Sequence, residues 1–224
     1  MRNAFHDDLD RVSDQLVAMT GMVGTAMKRA TEALVNADLG IAESVIAADD
    51  DIDQVRRQVD DLSVDLLARQ QPVATDLRMV VTAMHMASDI ERMGDLARHV
   101  AQVARMRYPE HAVPDELSDV FAEMGRIAED LVARVGQVIR TQDLTQAKDI
   151  ETTDDELDTH HREMFTRLAE GAWQHGTTSA VDIALLSRYY ERFGDHAVTV
   201  ARRVGFLVTG DPGAIDLAEE AERE

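Results

Sequence analysis

An internal repeat is the feature that most constrains how this chain can fold. The motif Glu-Arg-x-Gly-Asp occurs at residues 91–95 and again, 100 residues later, at residues 191–195. Each copy follows an apolar segment with helical periodicity, and each half carries an earlier pair of aspartates spaced four residues apart. The two pairs are Asp49 with Asp53 and Asp154 with Asp158. Because these acidic elements recur in the same order, the chain is predicted to contain two copies of one structural unit.

The hydrophobic pattern predicts helices along nearly the whole chain. Apolar residues recur at helical spacing, aromatic content is only 4%, and no long stretch alternates with the period of a strand. Asp38 and Asp143 are the expected N-caps of the second and fifth helices, and Gln146 is placed for a capping box. The first five helices are predicted over about 3–36, 38–69, 73–107, 115–141 and 143–172, and a sixth ends near residue 208.

The predicted fold class is therefore all-α, with two tandem three-helix bundles and six long helices. The first bundle is expected over residues 1–108 and the second over residues 115–209. Residues 109–114 form the linker, because a proline stands at each end of that stretch. The acidic residues 210–224 are expected to be a flexible tail.

Composition narrows the possible functions. The chain has no cysteine, which excludes disulfides and thiolate metal sites. No apolar run is long enough to span a bilayer and the N-terminus is acidic, so a cytoplasmic protein is expected. A net charge of −20 argues against direct binding of nucleic acid. This charge has two interpretations: it keeps the protein in solution, or part of it forms a cation site.

The duplicated carboxylates favour a cation site. On a helical wheel, Glu91 and Asp95 lie one turn apart at the flank of the buried face, and the other three pairs have the same relation to their helices. Antiparallel neighbouring helices would bring two pairs into one groove, where a cation would relieve their repulsion. The predicted metal ligands are Asp49, Asp53, Glu91, Asp95, Asp154, Asp158, Glu191 and Asp195.

Other residues near the motifs have packing or supporting roles. Gly94 and Gly194 lie inside helices, where glycine costs ~1 kcal/mol, so a second helix is expected to approach closely there. Arg92 is either paired with a carboxylate or solvated. The repeat does not duplicate the nearby histidines, which are therefore interpreted as surface or supporting residues and not as ligands. They are His99, His160, His161 and His196.

With these motifs in hand, the chain resembles the PhoU family, the accessory regulators of phosphate-specific ABC transport. The resemblance extends from about residue 3 to residue 208, and its most specific mark is Asp-Ile-Glu-Arg-Met-Gly-Asp at residues 89–95. It implies two three-helix bundles whose acidic motifs bind a divalent or trivalent metal ion, such as Mg, Mn, Zn or Fe. One departure is Tyr189 in place of Asp89, so the two sites need not bind equally.

The resemblance also implies a function. Such proteins restrain phosphate uptake and the transcriptional response to phosphate starvation when phosphate is plentiful. The implied partners are the ATPase subunit of the phosphate transporter and the phosphate-sensing histidine kinase. We expect a cytoplasmic homodimer that reaches the membrane only through these partners.

Two enzymatic alternatives fit the sequence less well. A ferritin-like di-metal carboxylate enzyme would use Glu-x-x-His motifs, and this chain contains none. A histidine phosphotransfer bundle would place an exposed histidine beside lysine, whereas His85 is followed by Met-Ala-Ser-Asp. No nucleophile stands beside a base and no glycine-rich phosphate loop occurs, so a regulatory protein without enzymatic activity is expected.

Overall fold

Six long helices dominate the computed structural model, which describes residues 2–170 and 173–215. No β-strand occurs among these residues, so the predicted all-α class is confirmed. A 3-10 turn, Asp115–Leu117, precedes the fourth helix, which therefore begins three residues later than the periodicity predicted. The helices are α1 (Arg2–Asn36), α2 (Leu39–Gln70), α3 (Thr75–Arg107), α4 (Ser118–Thr141), α5 (Leu144–Ala169) and α6 (Gly176–Thr209).

Local side-chain chemistry sets several helix boundaries. Asp38 accepts a hydrogen bond from the backbone N–H of Ile41 at 2.9 Å, and Asp143 accepts from that of Thr145 at 2.9 Å. Each aspartate thus satisfies an otherwise unpaired N–H in the first turn of its helix. In a capping box the Gln146 side chain would accept from the backbone N–H of Asp143. Here Gln146 Nε2 instead donates to the Asp143 carboxylate, so the capping box differs from the predicted form. Helix α6 ends at Gly210, whose φ of 80° is readily adopted by glycine.

The two three-helix units pack side by side around a shared interface. Helices α1, α3, α4 and α6 form the centre, with α2 against α1 and α3, and α5 against α4 and α6. Helices α1 and α4 run antiparallel and approach closely through glycines. A Cβ atom at Gly24 would lie 3.1 Å from Val132, and one at Gly125 would overlap the side chain of Thr31. The predicted pair of three-helix bundles is therefore present, with a shared core.

Polar contacts also join the two halves. Arg107 at the end of α3 makes two hydrogen bonds, of 2.6 and 3.0 Å, to the buried carboxylate of Asp182 near the start of α6. The hydroxyls of Thr31 and Tyr190 lie 2.7 Å apart in the core between α1 and α6. These contacts satisfy polar groups that burial would otherwise leave unpaired.

The end of the chain departs from the predicted tail. Ile215 is 2% exposed and packs against α6, where a Cβ atom at Gly205 would lie 3.0 Å from its Cγ2 atom. The folded part therefore continues past residue 209, because the turn after α6 returns an apolar side chain to the core. The remaining tail, residues 216–224, lies outside the described residues. No helix in the described chain is both long and apolar enough to cross a bilayer.

Candidate metal centre

The four predicted ligands of the first half lie at the seam between α2 and α3, and we call them the first quartet. Helix α2 carries Asp49 and Asp53, and α3 carries Glu91 and Asp95. Burial raises the pKa of Asp49; Arg98 opposes this rise and Asp95 adds to it. Burial likewise raises the pKa of Glu91, with contributions from Asp95 and Asp53. The charges of both helices are therefore within electrostatic range of one another.

Arg98 connects the two helices of the first quartet. Its Nε atom lies 3.0 Å from Asp49 Oδ2 on α2, and its Nη2 atom donates to Asp95 Oδ1 on α3. Arg92 also pairs with Asp95, at 3.1 Å, which decides between the paired and solvated alternatives for this residue. The sequence prediction missed Arg98. Its position three residues after Asp95 was the available signal, since such residues share a helix face.

The second quartet consists of Asp154 and Asp158 on α5 with Glu191 and Asp195 on α6. Asp154 is 9% exposed and Glu191 is 8% exposed. The prediction that all four acidic pairs lie at the flank of the buried face is therefore wrong for these two residues. The helical wheel did not include the neighbouring helix, whose side chains cover them. Asp158 is half-buried and Asp195 is exposed, as the wheel predicted.

Buried carboxylate oxygens in the second quartet have no hydrogen-bond partner. They are Oδ1 of Asp154 and Oε2 of Glu191, and this holds among the residues that the structure describes. The other Glu191 oxygen, Oε1, forms an ion pair with Arg188. Buried polar atoms in folded proteins are nearly always paired, so a cation or a water molecule bound at these two oxygens would satisfy both.

Gly194 makes this close approach possible. A Cβ atom at this position would overlap Oδ1 of Asp154 and lie 3.1 Å from Leu157 Cδ1. At the matching Gly94, a Cβ atom would lie 3.1 Å from Ile52 Cδ1 and 3.6 Å from Val23 Cγ2. The prediction that another helix approaches closely at both glycines is confirmed. In the second half, the group that occupies this space is itself a predicted ligand.

The electrostatics of the second quartet favour a proton or a cation. Burial raises the pKa of Asp154 to about 8, and the charges of Asp158, Asp195 and Glu191 add to the rise. Burial and Asp195 also raise the pKa of Glu191, while Arg188 opposes them. Because the charged form of Asp154 is disfavoured near neutral pH, a positive ion bound there would relieve an unfavourable burial of charge.

The histidines occupy different surroundings. His99 packs against the ring of Tyr189, with centroids 5.2 Å apart. His196 Nδ1 lies 3.3 Å from Asp89 Oδ1 at the seam between α3 and α6. His161 Nδ1 lies 3.1 Å from Ser187 Oγ; burial and the charge of Arg188 lower the pKa of this imidazole, and Asp158 and Asp195 oppose them. His160 lies 3.9 Å from Glu163. Their interpretation as supporting residues stays a prediction.

The geometry does not show a preformed ligand cage. In the part of the chain that the structure describes, no three His, Asp or Glu side chains are arranged to hold one metal ion. The unpaired oxygens of Asp154 and Glu191 nevertheless fit a hard or borderline cation, which prefers carboxylate ligands. The assignment of the eight carboxylates as ligands stays a prediction.

Comparison with known proteins gives the family. The description "PhoU domain" matches residues 16–104 and 121–204, once in each half. The chain belongs to the PhoU family. The PhoU resemblance predicted from the duplicated acidic motif is thus confirmed.

Curated relatives of the PhoU family align along nearly the whole chain. The phosphate-specific transport system accessory protein PhoU homolog 2 of Mycobacterium tuberculosis is 49% identical over 210 residues, which is 94% of this chain and 99% of that protein. The phosphate-specific transport system accessory protein PhoU homolog of Pseudomonas aeruginosa is 32% identical over 225 residues, 97% of this chain and 92% of that protein.

Solved PhoU structures share the fold. The crystal structure of PhoU from Pseudomonas aeruginosa superposes with a TM-score of 0.84 at 31% identity, covering 92% of this chain and 100% of that one. The phosphate transport system regulatory protein PhoU from Streptococcus pneumoniae has a TM-score of 0.82 at 22% identity, covering 92% and 98%. At 22% identity, the similarity to the Streptococcus pneumoniae structure shows a shared fold alone.

Proposed function

We propose that this protein is a regulator of phosphate transport that limits phosphate uptake and the starvation response when phosphate is plentiful. The observation that carries this proposal is the PhoU-domain match in both halves, together with relatives described as accessory proteins of the phosphate-specific transport system. The protein has no enzymatic activity in this proposal and acts by contact. Its partners are the transporter ATPase subunit and the phosphate-sensing histidine kinase.

The proposed regulator binds a divalent or trivalent metal ion through carboxylates of its acidic quartets, and the observations in favour come from the second quartet. Support comes from the unpaired, buried oxygens of Asp154 and Glu191 and from the raised pKa of Asp154. A bound cation would neutralise these charges and hold α5 against α6, so that the surface offered to partners depends on the metal. We further propose that the protein works as a homodimer in the cytoplasm, reaching the membrane only through its partners.

Deletion of the gene tests the regulatory role. A phosphate-starvation reporter should become active in phosphate-rich medium when the gene is deleted, and wild-type protein should silence it again. A reporter that stays silent in the deletion strain would refute the regulatory role of this protein. Affinity measurements with the purified ATPase subunit and with the cytoplasmic part of the kinase, each with and without chelator, test the partners and their dependence on metal.

Light scattering of the purified full-length chain tests the homodimer. A mass of twice 24.9 kDa is expected. A monomer at micromolar concentration would contradict this part of the proposal, without affecting the regulatory role.

A further inference from the structure

The two quartets differ in how their negative charge is balanced. In the first quartet, Arg98 reaches both helices, with Nε 3.0 Å from Asp49 Oδ2 and Nη2 donating to Asp95. Arg57 adds a contact of 3.8 Å to Asp53. Arginine keeps its charge at every pH at which the protein is folded. The first quartet therefore contains its own permanent cation at the seam between α2 and α3.

The second quartet lacks that cation. The repeat places Val198 where the first half has Arg98, and Val198 is a buried apolar side chain. The repeat also places His161 where the first half has Arg56. Two arginines of the first half are thus replaced by side chains without a permanent charge.

Arg188 does not compensate for this loss. It contacts Glu191 Oε1 from its own helix, α6, and 48% of its side chain is exposed. It leaves Glu191 Oε2 and Asp154 Oδ1 without a hydrogen-bond partner among the described residues. Asp154 is also more than nine-tenths buried, and its Oδ1 lies against Gly194, which is adjacent in sequence to Asp195. Its carboxyl is within electrostatic range of Asp158, Asp195 and Glu191, the other three members of the second quartet.

From this difference we infer that the two sites are functionally unequal: the second quartet binds the metal ion, and Arg98 holds the first quartet closed without one. The inference rests on the metal binding proposed above. The guanidinium of Arg98 stands in for the ion by bridging α2 and α3, and a metal ion at Asp49 and Asp95 would have to displace it. In the second half, the ion bridges α5 and α6 through Asp154 and Glu191.

In this arrangement, the two halves of the duplicated fold differ in whether their helix packing depends on metal. In the first half, α2 and α3 are joined permanently by the ion pairs of Arg98, without metal. The second half is a metal-dependent copy, whose helices come together fully when the cation is present. Regulation by metal, or loss of regulation on chelation, would then arise from α5 and α6.

Metal titration of variants in both quartets, and of variants at Arg98 and Val198, tests the inference. Full-length protein is freed of metal with chelator, dialysed, and titrated with Mn²⁺, whose binding is followed by calorimetry and by the loss of its free-ion paramagnetic signal. Wild type should bind Mn²⁺ tightly in one class of site, and Asp154→Asn or Glu191→Gln should weaken this binding at least about tenfold. Asp49→Asn, the equivalent change in the first quartet, should leave it unchanged because Arg98 occupies that site. Asp130→Asn, which removes an exposed carboxylate outside both quartets, is the control. Arg98→Val should add a second class of site.

Each outcome bears on a different claim. Equal binding by both quartets in wild type, or an unchanged titration for Arg98→Val, would overturn the inequality while leaving metal binding intact. Failure of wild type to bind Mn²⁺, Zn²⁺ or Fe²⁺ at all would refute the metal part of the proposed function. The reciprocal change, Val198→Arg, should abolish tight binding. Because Val198 is buried, circular dichroism must first show that this variant folds, and Glu191→Gln provides the same test at a polar position.

Discussion

Asp154→Asn should stabilise the metal-free protein at alkaline pH, because this carboxyl is buried and its pKa is raised to about 8. A folded-state pKa above the unfolded value of 3.8 means that the folded protein holds the proton more tightly. The resulting stability is fully present below the unfolded pKa and is lost as the pH rises through about 8. An asparagine, which does not ionise, removes this loss.

The size of the effect follows from the same shift. About four pKa units at 1.36 kcal/mol each give an upper limit of about 6 kcal/mol. Solvent reaches part of the group and its neighbours rearrange, so we expect about 2 to 4 kcal/mol at pH 9. At pH 5 the folded carboxyl is protonated and the pH is only about one unit above the unfolded pKa, so most of the loss has not yet developed. The variant should then exceed wild type by no more than about 1 kcal/mol.

Denaturant unfolding of chelator-treated protein at pH 5, 7 and 9 measures this difference. The matched control is Asp130→Asn, an exposed carboxylate on α4 that pairs with Arg134, and it should leave the dependence of stability on pH unchanged. If Asp154→Asn and wild type lose stability in parallel between pH 5 and 9, then the buried carboxyl is not the source of the pH dependence. Added Mn²⁺ should reverse the order, since only wild type retains the full ligand set.

Four further substitutions test the packing around the site and between the halves. Gly194→Ala should destabilise the protein by about 2 kcal/mol, whereas Gly94→Ala, whose nearest contact is Ile52 Cδ1 at 3.1 Å, should cost less than about 1 kcal/mol in thermal unfolding. Arg107→Ala should cost about 3 kcal/mol, since it leaves Asp182 buried without its partner; an equally stable variant would contradict this. Tyr190→Phe should cost about 1 kcal/mol in denaturant unfolding, and no change would show that its hydrogen bond is dispensable.

Much of the fold could be predicted because the signals are local. Asp38 and Asp143 cap their helices through hydrogen bonds to backbone groups two or three residues away. Such interactions depend on neighbouring residues alone, so a sequence can reveal them. The internal repeat then supplied the tertiary information, since two copies of one unit must fold alike.

The site was predicted less completely because its chemistry depends on the neighbouring helix. The helical wheel placed Asp154 and Asp158 at similar positions, yet only Asp154 is buried, because α6 approaches it at Gly194. Likewise, a sequence shows that Arg98 lies one turn after Asp95 but cannot show that it also reaches Asp49. Burial and ion pairing between helices are properties of packing, which a single-helix pattern does not contain.

The most direct test of the account is phosphate uptake in a deletion strain that carries plasmid copies of the gene. Uptake of labelled phosphate in phosphate-rich medium should be high in the deletion strain and low once wild-type protein is restored. Protein with both Asp154→Asn and Glu191→Gln, present at the same level, should fail to restore low uptake, while Asp49→Asn should succeed. Restoration by the double variant would contradict a metal-dependent regulator, and low uptake without any protein would contradict the regulatory role itself.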